Sequence, residues 1–258
     1  MLKFLFDLFG NSVWYDGFIF TSQQSYNIFM YFGLIFAIIA VSYFLGSVNS
    51  AVIFSKVIYG EDIRTKGSGN AGMTNMMRNY GKGPAALTLV CDMLKTLFAM
   101  AFGTCLCGLT GAYIAGLFAV VGHVLPIFYG FKGGKGVASS AMIILYLNVK
   151  VFLIIFLLFV LIVWATKYLS LASVISILIF PLMMYRMDVT PTDRGIKLIL
   201  TLIIAAIVVF KHRTNISRIM NGTESKFSFK KTQKRPTAEV TEEEETDAEE
   251  TEENSEEN

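Results

Sequence analysis

Side chains suited to catalysis are scarce. The 258-residue chain has two histidines, His123 and His212, and three cysteines. Neither histidine has an aspartate five positions later, where Phe128 and Ser217 stand, so the His-x4-Asp acid–base pair is absent. No Gly-x-Ser-x-Gly elbow and no His-Glu-x-x-His pair occurs, which excludes the usual serine-hydrolase and zinc-protease constellations. Cys105 and Cys107 lack a nearby His or further Cys, which is poor metal spacing. With Cys91 they sit in apolar sequence and read as small core residues. No cofactor and no metal are expected. An enzyme made from these parts needs an already activated substrate and electrostatic stabilisation rather than a strong protein base.

Charge is also thin. Charged residues make up 16% of the chain and hydrophobic residues 54%, the balance of a polytopic membrane protein rather than a soluble domain. The start, from Met1 to Gly10, is apolar but interrupted by Asp7, and no small-residue cleavage site follows. Residues 1–27 therefore read as an N-terminal extension, either a short interfacial helix or a frayed tail. Acidic residues are concentrated at the other end. From Thr237 onward there are 12 acidic residues and no Lys or Arg, leaving 22 basic against eight acidic residues before it. Self-repulsion and low apolar content predict disorder across residues 226–258. The basic stretch from Lys226 to Arg235 suits anionic lipid headgroups. A lipid bilayer is the expected surrounding; no nucleic acid and no obligate protein partner is expected.

Seven apolar segments can be drawn within residues 28–225, giving an all-α integral membrane fold. They cover about 28–56, two spans within 84–129 parted near Gly108 to Gly111, 137–148, 151–166, 169–185 and 196–210. The fourth is short against the roughly 20 residues of an upright span. If residues 137–166 formed one helix, the count would drop to six and the last loop would change sides. Asn148 and Lys150 argue for a break, because a charge at mid-membrane is costly. Lys and Arg gather in one set of loops, which predicts the N-terminus outside and the C-terminus cytoplasmic.

Three polar, glycine-bearing stretches abut these spans, and the seven-span count puts all three on the cytoplasmic side. In the first, Gly67, Gly69 and Gly72 keep the backbone accessible, while Ser68, Asn70, Thr74 and Asn75 offer neutral hydrogen-bonding groups. Arg78 adds a guanidinium suited to phosphate, on one helical face with Thr74. The bland alternative is a capped helix start with Ser68 as N-cap. In the second, Lys132, Gly133, Gly134, Lys135 and Gly136 precede an apolar run, so a helix N-terminus with free N–H groups favours an anion there. No Ser or Thr follows Lys135, so this is not the nucleotide-binding P-loop. The alternative is a tight turn whose lysines only set topology. The third holds His212, Arg213, Asn215 and Arg218, with His212 and Asn215 three apart. A structural role for His212 is the commoner fate of a lone histidine, and His123 reads as a packing or kink residue. Asp92 and Lys95, spaced i, i+3 inside the second span, read as a buried pair supporting the structure.

The stretches Gly67 to Arg78, Gly122 to Ala138 and His212 to Glu224 resemble the bacterial acyl-phosphate glycerol-3-phosphate acyltransferases, the PlsY family. Gly46-Ser47 and Asp92-x-x-Lys95 also look like that family, and the resemblance runs in order from about Tyr43 to Glu224. Met73 departs from it, standing where the family usually has Ala. The resemblance implies a seven-helix membrane enzyme that moves an acyl group from acyl phosphate to the 1-hydroxyl of glycerol 3-phosphate. It implies that Ser68, Arg78, Lys135, His212 and Asn215 surround glycerol 3-phosphate and the reaction centre. The backbone from Gly67 to Gly72, with Asn70 and Asn75, would cradle the phosphate of acyl phosphate, and Glu224 would brace the third stretch. The main rival is a transporter of phosphate or organophosphates, since glycine-broken helices and cations also suit anion translocation.

Overall fold

A computed structural model describes residues 28–187 and 194–227. The N-terminal extension expected over 1–27, and the tail beyond residue 227, lie outside the described residues. Regular structure among the described residues is helical. It comprises α1 (Ile28–Ser47), α2 (Ser50–Tyr59), α3 (Met73–Tyr80), α4 (Lys82–Val124), α5 (Val137–Leu147), α6 (Val149–Thr166), α7 (Leu169–Met187), α8 (Arg194–Lys211) and α9 (Arg213–Met220). Short 3-10 turns at Ile63–Thr65 and Ile127–Tyr129 lie beside the glycine-bearing loops.

Polar residues set the breaks between apolar helices. Asn49 stops α1 from running into α2, its side chain accepting from the Val52 amide at 3.1 Å. Asn148 does the same between α5 and α6, accepting from the amides of Lys150 at 3.0 Å and Val151 at 3.2 Å. That is the break the sequence predicts. Helix α4 doubles back on itself at Cys107-Gly108, where Gly108 takes φ 56°, ψ −146°, which suits a residue without a Cβ. Its limbs pack closely: a Cβ at Gly103 would lie 2.3 Å from the Gly111 carbonyl oxygen. Small residues at such crossings let apolar helices approach through their backbones.

Among the described residues four stretches are long and apolar enough to cross a membrane, five when α8 and α9, bent by 55°, count as one. The sequence predicts more because α4 is one helical stretch holding two limbs, while α5, at 11 residues, falls below the usual span length. The core lies where the second limb of α4 meets α5, α7 and α8, around Tyr113, Phe180, Ile143 and Ile204. By contrast α6 buries only Val151 and Ile155 and presents Leu153, Leu157, Leu161 and Trp164 outward. A helix that is apolar all round and packed on one edge is built for lipid.

Candidate active site

The first loop is built to hold its own shape. Asp62 caps the 3-10 turn, and Arg64 grips its carboxylate through Nε at 3.0 Å and Nη2 at 2.7 Å. Those hydrogen bonds from Arg64 hold the Asp62 carboxyl down to about 2, against partial burial. The same guanidinium donates to the Tyr129 carbonyl at 2.6 Å, tying this loop to the segment before the second one. Asn75 is buried and fully engaged. Its amide nitrogen donates to the carbonyls of Ile63 and Lys66, and its oxygen accepts from the Ser68 amide and from Asn79. Asn75 thus lines the cavity while its amide shapes the loop. Gly72, not Ser68, occupies the N-cap of α3, with no side-chain cap. Ser68 stands exposed at the mouth of a cavity whose wall Thr74 and Arg78 share, one helical turn apart. Asn70 and Gly72 also line it, whereas Gly67 and Gly69, at φ 54° and 70°, turn the chain behind.

The second loop is pressed onto the end of α4. The Gly134 amide donates to the His123 carbonyl at 3.1 Å. A Cβ at Gly134 would lie 2.1 Å from His123 Nε2 and 2.9 Å from the Ala71 carbonyl oxygen; one at Gly133 would lie 2.1 Å from the His123 carbonyl oxygen. These two glycines therefore act by close packing and do not line the cavity, nor does the exposed Lys132. Of the five residues expected to contact substrate, these three therefore stand off the cavity wall. Lys135 and Gly136 do face it. Gly136, at φ 82°, starts α5 without a side-chain cap, leaving the helix N-terminus open to an anion.

The third stretch meets the second directly. Lys135 Nζ donates to Asn215 Oδ1 at 2.6 Å, and Asn215 Nδ2 donates to Glu224 Oε1 at 2.7 Å. Glu224 also accepts from Ser170 at 2.7 Å and from Arg218 Nε at 2.7 Å. Burial pushes its carboxyl up, but hydrogen bonds from Asn215, Ser170 and Arg218 outweigh that and keep it below its ordinary value. Burial lowers Lys135 from 10.5 to about 8, with Glu224 opposing the shift. Burial likewise lowers His212 to about 4, so its ring is neutral at pH 7. Its Nδ1 lies 2.7 Å from the Val208 carbonyl, which can only accept. The proton is therefore on Nδ1, and Nε2 keeps a lone pair.

All three stretches thus open on one cavity of about 350 Å³. Its other end is apolar, lined by Ile144, Phe152, Phe156, Phe159 and Ile177. A cavity that is cationic at one end and greasy at the other fits a molecule with an anionic head and a hydrocarbon chain. Sequence reading missed Ser140 of α5 and Ser170, Ser173 and Ser176 of α7, which also face it. The signal was present: serines spaced three apart in α7 mark one face of an otherwise apolar helix.

A buried network reaches the cavity wall through Asp92 and His123. Lys95 donates to the Val48 carbonyl at 2.6 Å, to Asp92 Oδ1 at 2.9 Å and to His123 Nδ1 at 3.0 Å. Ser50 donates to the same Asp92 oxygen at 3.1 Å. The Asp92–Lys95 pair read from the sequence is therefore part of a larger cluster that reaches across both limbs of α4.

A family model described as glycerol-3-phosphate acyltransferase matches residues 36–222. The chain belongs to that family. A glycerol-3-phosphate acyltransferase of Finegoldia magna is 41% identical over 189 residues, covering 72% of this chain and 92% of that one. One from Clostridioides difficile is 40% identical over 200 residues, covering 75% and 96%. The crystal structure of PlsY (YgiH), an integral membrane glycerol 3-phosphate acyltransferase in its glycerol 3-phosphate form, superposes with a TM-score of 0.69. It is 31% identical, covering 75% of this chain and 96% of that one. The chain is thus a multi-pass membrane acyltransferase, and the transporter reading finds no support.

Proposed function

We propose that this enzyme transfers an acyl group from acyl phosphate to the 1-hydroxyl of glycerol 3-phosphate, releasing lysophosphatidic acid and inorganic phosphate. The single observation that carries this reading is the Lys135–Asn215 hydrogen bond of 2.6 Å, which joins the second and third stretches at the wall of a cavity shared with the first. Two phosphate-bearing reactants need two cationic or amide-rich positions side by side. Arg78 and Lys135, with the open N-terminus of α5, supply the cations and amides. The acyl chain lies along the apolar end.

In the reaction, the hydroxyl oxygen forms a bond to the acyl carbon and the bond from that carbon to the phosphate oxygen breaks, its electrons leaving with phosphate. Phosphate is a good leaving group, so no covalent enzyme intermediate is required. In the bound state the hydroxyl donates its hydrogen bond to His212 Nε2, which orients it; as the new bond forms, that single proton turns from His212 and passes to the departing phosphate. Placing hydroxyl beside carbonyl lowers the barrier by several kcal/mol, and Lys135 meets the growing charge. Seven crossings, an outer N-terminus and a site facing the cytoplasm, in the bacterial cell membrane, complete the reading. The basic residues concentrated in the loops that carry the three stretches support that orientation.

Purified protein in detergent tests the proposal. Phosphate release from acyl phosphate must require glycerol 3-phosphate and yield lysophosphatidic acid; turnover with acyl-CoA or acyl-carrier protein but not acyl phosphate overturns it. His212→Gln keeps an acceptor near the Nε2 position but no basic nitrogen. It is expected to retain turnover within about tenfold, whereas loss of an essential general base costs about 10²–10⁴-fold. A fall of that size assigns the proton to His212 instead of phosphate.

Lys135 gives the pH dependence. Its cation, with a value lowered to about 8, is lost as pH rises through that point in the free enzyme. The KM for glycerol 3-phosphate therefore rises above about pH 8, while kcat changes less because bound phosphate holds the proton on the amine. Lys135→Arg, which stays charged, should flatten this limb. An unchanged limb in that variant locates the titration elsewhere.

A further inference from the structure

The sequence reading assigns His123 to packing, and the mechanism above leaves it unused. The geometry gives it more to do. Its imidazole is 3% exposed, yet it borders the substrate cavity at the point where two loops meet. The place that a Cβ on Gly134 would occupy is 2.1 Å from His123 Nε2 and 2.9 Å from the Ala71 carbonyl oxygen. The ring edge carrying Nε2 therefore packs against Gly134 of the Lys132–Gly136 loop, at the point where that loop meets Ala71 of the Gly67–Gly72 loop.

The opposite nitrogen is held. A lysine ammonium has three protons and no acceptor, and Lys95 faces the Val48 carbonyl, Asp92 Oδ1 and His123 Nδ1 at 2.6, 2.9 and 3.0 Å. The first two can only accept, so the third proton points at Nδ1, which must accept as well. Asp92 Oδ1 lies 3.6 Å from Nδ1, beyond hydrogen-bond reach, and does not compete. The ring proton of His123 is thereby forced onto Nε2. His212 is the mirror case, with its proton on Nδ1 toward Val208 and its lone pair on Nε2.

We propose that His123 contacts substrate through a fixed, neutral Nε2–H that donates to the phosphate of the acyl donor, Lys95 and Asp92 serving as positioning residues. The two histidines then divide the work: one accepts from the attacking hydroxyl and the other donates to the leaving group, where the bond strengthens as negative charge grows. The inference rests on the acyl-phosphate reading above and extends it to a residue that the sequence assigned to packing.

Because the chain has two histidines, ¹⁵N-histidine labelling of the full protein in detergent gives two ring systems, assigned with His212→Gln. At pH 7 the expected pattern is Nε2–H for His123 and Nδ1–H for His212. A non-hydrolysable acyl phosphonate should shift the His123 Nε2 resonance, and glycerol 3-phosphate should shift that of His212. In kinetics, His123→Asn removes the donor at the Nε2 position and should raise the KM for acyl phosphate about 10–100-fold, the span of a hydrogen bond to a charged group. The KM for glycerol 3-phosphate should stay within about twofold of wild type. His123→Gln, whose amide nitrogen reaches that position, should recover most of the loss.

A His123 proton found on Nδ1 overturns the proposal without any variant having to fold. So does a phosphonate that inhibits and shifts His212 while leaving His123 unmoved, an outcome that leaves the acyl-phosphate reading standing. If the phosphonate does not bind and acyl phosphate gives no turnover, that reading falls and this inference falls with it.

Discussion

Lys135→Met is expected to lower kcat/KM by about 10²–10³-fold, the usual cost of removing one preorganised charged donor from an enclosed site. The ammonium stands at the junction of two motifs, half-buried, with Asn215 Oδ1 2.6 Å away. Burial lowers its proton affinity, so the free site holds a cation at a cost that a bound phosphate relieves. That arrangement favours the state in which negative charge grows. The loss should therefore fall on kcat as well as on the KM for glycerol 3-phosphate, because both the bound phosphate and the leaving phosphate meet the same charge. Steady-state assays at pH 7 with each substrate varied separate the two contributions. Retention of wild-type kcat with only a raised KM would restrict Lys135 to substrate binding. Lys135→Arg should recover part of the activity, since its planar guanidinium keeps the charge but cannot reproduce the single short contact to Asn215.

The three polar stretches were legible from residue types, because glycine beside Lys, Asn and Ser in lipid-compatible sequence has few structural explanations; the family came from the resemblance of those stretches to a known pattern. The break at Asn148 was legible for the same reason: a cap residue next to Lys150 interrupts an apolar run that would otherwise continue. Less legible was the division of labour within each stretch. Asn75 and Asn70 look alike in sequence and both border the cavity, yet Asn75 has its whole amide engaged by the loop backbone and Asn79 and so serves the loop's shape. Gly134 and Gly136 look alike too, and one packs against a ring while the other opens a helix. Such differences depend on what lies across the fold, and a residue's partner 80 positions away leaves no local signature. The same holds for His123. Its apolar neighbours suggested packing, and only the hairpin of α4 brings Lys95 to its Nδ1. Span counting was hardest at α4, where a single Cys-Gly step reverses the chain without a polar loop to announce it.

Gly134→Ala should be nearly as damaging as loss of Lys135, although the substitution adds one methyl group and no charge. The new Cβ would sit 2.1 Å from His123 Nε2 and 2.9 Å from the Ala71 carbonyl oxygen, too close for either. The ring cannot yield freely, because Lys95 holds its other nitrogen at 3.0 Å and the Gly134 amide is itself bonded to the His123 carbonyl. The Lys132–Gly136 loop must therefore move away from α4, carrying Lys135 with it. Overpacking of this kind costs about 1–3 kcal/mol of stability, which a multi-span helical protein can absorb. The catalytic cost is larger: a displacement of about 1 Å between reacting groups lowers rates by roughly 10²-fold. Gly83→Ala at the start of α4 is the matched control, since a Cβ there meets nothing within 4 Å. Thermal unfolding in detergent and acyl-transfer rates, measured on both variants, give the comparison. Near-native folding with activity reduced about 10²-fold in Gly134→Ala alone ties the effect to placement of Lys135. Equal activity in the two variants would mean the loop tolerates the shift and that His123 does not set its position.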